Sequence, residues 1–104
     1  MHRSVGPALG IVLALTTTVH AQDVVNGEAL ARRWCVSCHI VSADARTGQA
    51  NGLPSFPTLA KAPQTTETSL RRAMTAGHSR MPDFSLTKQE QDNLIAYIFS
   101  LRSR

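Results

Sequence analysis

The chain has 104 residues, 42% hydrophobic and 5% aromatic, with eleven Lys/Arg against seven Asp/Glu and a net charge of +4. A length of this order holds one domain, which excludes a multidomain enzyme. No basic run interleaved with aromatics accompanies the positive charge, which argues against nucleic acid as a partner.

Residues 1–21 read as a cleaved signal peptide. Arg3 supplies a basic start, an apolar run extends from Ala8 to Leu15, and Val19 and Ala21 put small or modest side chains where a signal peptidase reads. The run is shorter than the roughly 20 residues a permanent membrane helix needs, so the segment predicts export without a lasting anchor. The expected mature domain is residues 22–104. Arg3 leaves with the signal, so ten Lys/Arg face seven Asp/Glu and the balance falls to +3. So small a domain gains little net stability from a hydrophobic core and usually needs a covalent, metal or subunit staple. Its five aromatics are Trp34, Phe56, Phe84, Tyr97 and Phe99, too few for a large aromatic core.

A first helix is predicted from Asp23, as N-cap, through Trp34, with Glu28 near its positive end and Arg32 and Arg33 near its negative end. Residues 40–63 lose periodicity and are rich in turn formers, including Gly48, Gly52, Pro54, Pro57 and Pro63. Long loops of this kind are functional or wrapped around something, and Leu53, Phe56 and Leu59 give this one apolar anchors. A second helix is predicted over residues 66–76, opened by the Thr65 and Thr66 hydroxyls and closed by Gly77, with Leu70, Ala73 and Met74 as its apolar face. The clearest helix follows Thr87, which forms a capping box with Glu90 ahead of Leu94, Ile95, Ile98 and Leu101. No alternating strand run or internal repeat is visible in the mature part, so the fold reads as all-α with long loops.

Cys35-x-x-Cys38-His39 is the sharpest signal, the attachment pattern of c-type haem. Two thiols three residues apart on a helical turn can each add across a haem vinyl group, and the next residue then offers an imidazole nitrogen to the iron. A thiol–disulfide redox motif is the first competing reading, but it is ordinarily carried on a βαβ scaffold that this chain has no strands to build. Zinc would need a second ligand pair, and a structural disulfide would close a tiny loop with little stabilisation. Covalent haem is attached outside the cytoplasm, so the signal segment and the motif agree.

Met74, His78 and Met81 are the candidates for the sixth iron ligand. Met74 lies on the apolar face of the second predicted helix, where a methionine is more often core filler. Met81 precedes Pro82, which holds it extended and helps present its thioether from an irregular loop. Met81 is therefore favoured over His78 and over an open site.

On these residues the chain resembles the class I cytochromes c, small soluble monohaem electron carriers, and among them the short periplasmic type of bacteria. The parts occur in the family's order: a helix containing Gly27, the Cys35-x-x-Cys38-His39 motif, a proline-containing loop, Met81-Pro82, and a closing helix with Leu94, Tyr97 and Ile98. The early motif argues against the four-helix cytochromes c′. The resemblance implies a cytochrome c fold of three or four short helices with long loops wrapped around one covalently bound haem. Position by position, it implies thioethers at Cys35 and Cys38, proximal iron ligation by His39 and distal ligation by Met81. It also implies a proline carbonyl accepting the hydrogen bond of the second His39 ring nitrogen, which fixes the ring and raises its basicity. Pro54 and Pro57 both suit this role, with Pro54 preferred, and Phe56 and Leu59 would line the proximal side. Gly27 resembles the family glycine at which the first and last helices cross, against Leu94 and Tyr97. The middle section is shorter than in longer members, so the haem edge is expected to be more exposed. Trp34 is unassigned by the resemblance and reads as packing.

The resulting expectation is a periplasmic one-electron carrier of the respiratory chain with one haem c and its iron, acting as a monomer and not as an enzyme. Its partners would be a redox donor (a dehydrogenase or membrane complex) and an acceptor (an oxidase or peroxidase). The two haem propionates would bring its charge to roughly +1 to +3, so steering by Arg46, Lys61 and Arg80 should be weak. The alternative is a haem-based ligand sensor or small peroxidase with a labile sixth ligand, and Met81 separates the two.

Overall fold

The computed structural model describes residues 6, 10–11, 19–44, 52–75 and 81–104, which form four α-helices with no strand among them. Arg46, Gly77, His78, Arg80 and most of the expected signal segment lie outside the described residues.

Helix α1 spans Val19–Leu30. It starts four residues ahead of Asp23, which therefore sits inside the helix and not at its cap. The physical reason is that residues 19–22 contain neither proline nor glycine to stop a helix, so nothing ends it at Asp23. Its inward face is Val24, Gly27 and Ala31, spaced to lie on one side of a helix, and an exposed Arg32–Glu28 pair at 2.9 Å braces the other. After Leu30 the winding loosens to a π-turn over Ala31–Cys35, in which the Val36 N–H donates to Ala31 O at 3.1 Å. Ala31 and Cys35 point inward while Arg32, Arg33 and Trp34 face out.

Helix α2, Phe56–Lys61, lies within the stretch expected to be irregular. Its start is written in the sequence all the same: Ser55 accepts a hydrogen bond from Thr58 N at 3.2 Å, and Pro57 occupies the first turn, where its missing N–H has no cost. Helix α3, Glu67–Thr75, agrees closely with the predicted segment, with Thr66 Oγ1 accepting from Ser69 N at 3.0 Å. Helix α4, Lys88–Ser100, carries the predicted capping box in full: Glu90 N donates to Thr87 Oγ1 at 3.1 Å, and Thr87 N to Glu90 Oε1 at 2.9 Å. A short 3₁₀ turn, Leu101–Ser103, ends the chain.

Helix α1 crosses α4 at Gly27. A Cβ there would lie 2.6 Å from the Asn93 carbonyl carbon and 2.8 Å from Tyr97 Cβ, so only a residue without a side chain lets the two backbones approach this closely. The crossing thus falls on Asn93 and Tyr97, one step from the expected Leu94. Leu94, Ile95, Ile98 and Leu101 are buried as the last-helix pattern predicted. Arg102 ties the end of the chain to α2, its Nε donating to Ala60 O at 2.8 Å with the guanidinium 4.0 Å above the Phe99 ring. Arg71 joins α3 to α4 by pairing with Asp92, whose carboxyl it holds below the usual carboxylate range. Among the described residues no helix is long and apolar enough to cross a membrane.

Candidate functional site

The π-turn delivers the chain to Cys35 and one further helical turn completes the motif. Cys38 N and His39 N both donate to Cys35 O, at 3.1 and 2.8 Å, so the two cysteines and the histidine share one turn. Both thiols are free: Cys35 is buried and Cys38 half-buried. Burial, with Cys38 adding to it, pushes the Cys35 thiol up to about 11, so it is neutral at neutral pH.

His39 Nδ1 lies 2.8 Å from Pro54 O. A carbonyl oxygen can only accept, so Nδ1 carries the proton and Nε2, on the other side of the ring, keeps its lone pair. Two residues beyond Pro54, Phe56 N donates to Ile40 O at 2.8 Å, which ties this stretch to the residue after His39. The buried Phe56 ring stands 5.5 Å from the imidazole, tilted by 45°. Pro57 is engaged in α2 and takes no part in this contact.

These residues open onto an apolar cavity of about 230 Å³, far larger than the roughly 30 Å³ a single water occupies in the liquid. Cys35, His39, Pro54, Phe56, Leu59 and Met81 all border it. A smaller cavity of about 30 Å³ lies beside it, bordered by Trp34, Cys38, Pro82 and Phe84, with Cys35, His39 and Met81 bordering both. The predicted site residues are thus brought together from the motif turn, the 52–55 segment, α2 and the segment after residue 80. The sequence reading missed the far wall: Leu70 and Met74 of α3 and Leu94 and Ile98 of α4 border the same cavity. Their signal was present as apolar helix faces, but periodicity does not distinguish a face packed on protein from one packed on a cofactor.

Two free thiols, an imidazole with an available Nε2, a thioether and an apolar hollow fit a covalently held haem. Among the described residues, no three His, Cys, Asp or Glu side chains converge to hold a bare metal ion. The family model of the cytochrome c oxidase, cbb3-type, subunit III, matches residues 22–98. Cytochrome c-552 of Bradyrhizobium diazoefficiens is 35% identical over 91 residues, covering 88% of this chain and 86% of that protein. The chain belongs to the monohaem cytochrome c family. No solved structure matches it significantly.

Membership makes this cytochrome a haem-based electron carrier, and its helices have the all-α cytochrome c fold expected from the sequence. The crossing of α1 and α4 over Gly27 and the turn bearing Cys35, Cys38 and His39 are the parts of that fold that position the candidate site residues. The family implies haem c with iron, and redox proteins as its partners.

Proposed function

We propose that this cytochrome is a periplasmic one-electron carrier whose single haem is bound by thioethers to Cys35 and Cys38 and ligated by His39 and Met81. When bound, the haem supplies one reversible electron at iron. The chain's own residues set the conditions. Pro54 O fixes the tautomer and the plane of the His39 ring, leaving Nε2 as the ligating nitrogen, and raises its basicity. Met81, partly buried against the core and bordering the same cavity, offers a thioether; a Met/His pair raises the potential. Phe56, Leu59 and the faces of α3 and α4 keep water from the cavity.

The observation that carries the reading is the hydrogen bond from His39 Nδ1 to Pro54 O, which presets a ligand for a metal that only a cofactor would bring. Residues 1–21 would direct export and be removed, and the mature carrier would pass electrons between a donor dehydrogenase or membrane complex and an acceptor oxidase or peroxidase of a respiratory chain.

The test is spectroscopic. Ferric protein matured in a bacterial periplasm should show the weak near-infrared band of methionine-ligated iron, and Met81→Ala should abolish it and open the iron to cyanide. A wild-type protein that lacks the band and binds cyanide rapidly would instead be a ligand-binding haem protein.

A further inference from the structure

Trp34 has no part in the chemistry described above, yet it does not behave as surplus surface. It is 41% exposed, beside the first cysteine, on the outer side of the π-turn. Its ring stands 5.8 Å from that of Phe84, tilted by 40°, and the Arg33 guanidinium lies 5.1 Å from its centroid. Phe84 is three residues beyond Met81. The two rings border the small cavity together with Cys35, Cys38, His39, Met81 and Pro82. They are therefore a side-chain bridge between the segment bearing the proximal ligand and the segment bearing the distal one.

The Met81 segment needs such a bridge. Between Met81 and Thr87 the backbone has no helix to hold it, and what fixes it locally is short-range: Pro82, an Asp83 carboxylate accepting from Ser85 N at 2.8 Å, and Ser85 held at a φ of 54°. Met81 and Leu86 pack against the core at the two ends of the segment, and between them Phe84 is tied to the motif side by its contact with Trp34. An aromatic pair in tilted geometry is directional as well as apolar, so it favours one separation of the two segments.

We infer that Trp34 and Phe84 form a clasp that holds the Met81 segment closed over the haem and so sets how often the methionine leaves the iron. Trp34 is a positioning residue: it acts through Phe84 on Met81. The inference rests on the proposed ligation by Met81.

The test uses haem-loaded ferric protein matured in a periplasm, with imidazole as the probe for the vacated position. Trp34→Ala and Phe84→Ala should each keep the methionine band at rest but bind imidazole roughly three- to tenfold more tightly, because the open form is more populated by that factor. The double variant should be no weaker a closer than either single one, and Trp34→Phe should restore most of the wild-type affinity. Tyr97→Phe, which loosens the fold elsewhere, serves as the control for general destabilisation. Unchanged imidazole affinity in Trp34→Ala, or an equal rise in Tyr97→Phe, would overturn the clasp while leaving Met81 as ligand. A wild-type protein without the methionine band would overturn the ligation reading and the clasp with it.

Discussion

Tyr97 shows how much one side chain holds in this small domain. It is 1% exposed, and its hydroxyl donates to Val41 O at 2.5 Å, joining the closing helix to the chain just beyond His39. Tyr97→Phe should cost about 1–3 kcal/mol, because it strands a buried carbonyl, and a lowered denaturant midpoint at unchanged slope would check it. Burial, with the nearby Glu28 carboxylate, raises the Tyr97 phenol above its ordinary value. The unfolded chain ionises this group near pH 10 and the folded one at higher pH, so its contribution is complete below about pH 10 and is lost as pH rises through the raised value. The alkaline limb of a stability–pH curve should therefore be shallower for Tyr97→Phe than for the wild type, and identical limbs would assign it to other groups. At this same scale the sequence spoke plainly about Cys35, Cys38 and His39, because their chemistry lies in five consecutive residues. Between Pro54 and Pro57 it offered only spacing, and the two differ by what surrounds them: Pro57 starts α2, whereas Pro54 leaves a carbonyl facing the imidazole.

Among the elements, the closing helix was the most legible, since its capping box and its apolar positions are both local in sequence. Helix α2 was not, because three prolines and two glycines in that stretch outweighed the Ser55 cap, although Pro57 is a helix starter at that position. The π-turn over Ala31–Cys35 has no sequence signature of its own; it turns Cys35 inward and leaves Trp34 on the outside. Gly27 was legible as a crossing point only through resemblance, and the packing supplies the cause. Gly27→Ala gains about 1 kcal/mol in helix propensity, but its Cβ meets backbone and not a side chain able to swing away. The two helices must separate, so the variant should lose roughly 1–3 kcal/mol net, read as a lower melting temperature of the haem-loaded protein. A variant as stable as the wild type would mean that the crossing has slack the geometry does not suggest.

For the molecule as a whole, the shortage of aromatic core residues finds its explanation in the cavity. Besides packing on one another, the apolar faces of α2, α3 and α4 border a hollow, so the proposed haem would complete the core as well as carry the electron. The attachment motif and the long loop with its apolar anchors Leu53, Phe56 and Leu59 already pointed to a cofactor in the sequence, but which helix faces form the wall required the fold. Charge plays a lesser part: Lys61 is exposed, and the haem-loaded domain proposed here, at roughly +1 to +3, would have little long-range field. The central claim is that the hollow holds a haem fixed covalently to the chain through Cys35 and Cys38. The most direct measurement is a pyridine haemochrome spectrum of periplasmically matured protein after acid–organic extraction. The account predicts that haem stays with the wild-type polypeptide, with the spectrum of two saturated vinyl positions, and is lost from Cys35→Ala/Cys38→Ala. Haem passing into the organic phase from the wild type, or no haem at all, would contradict it.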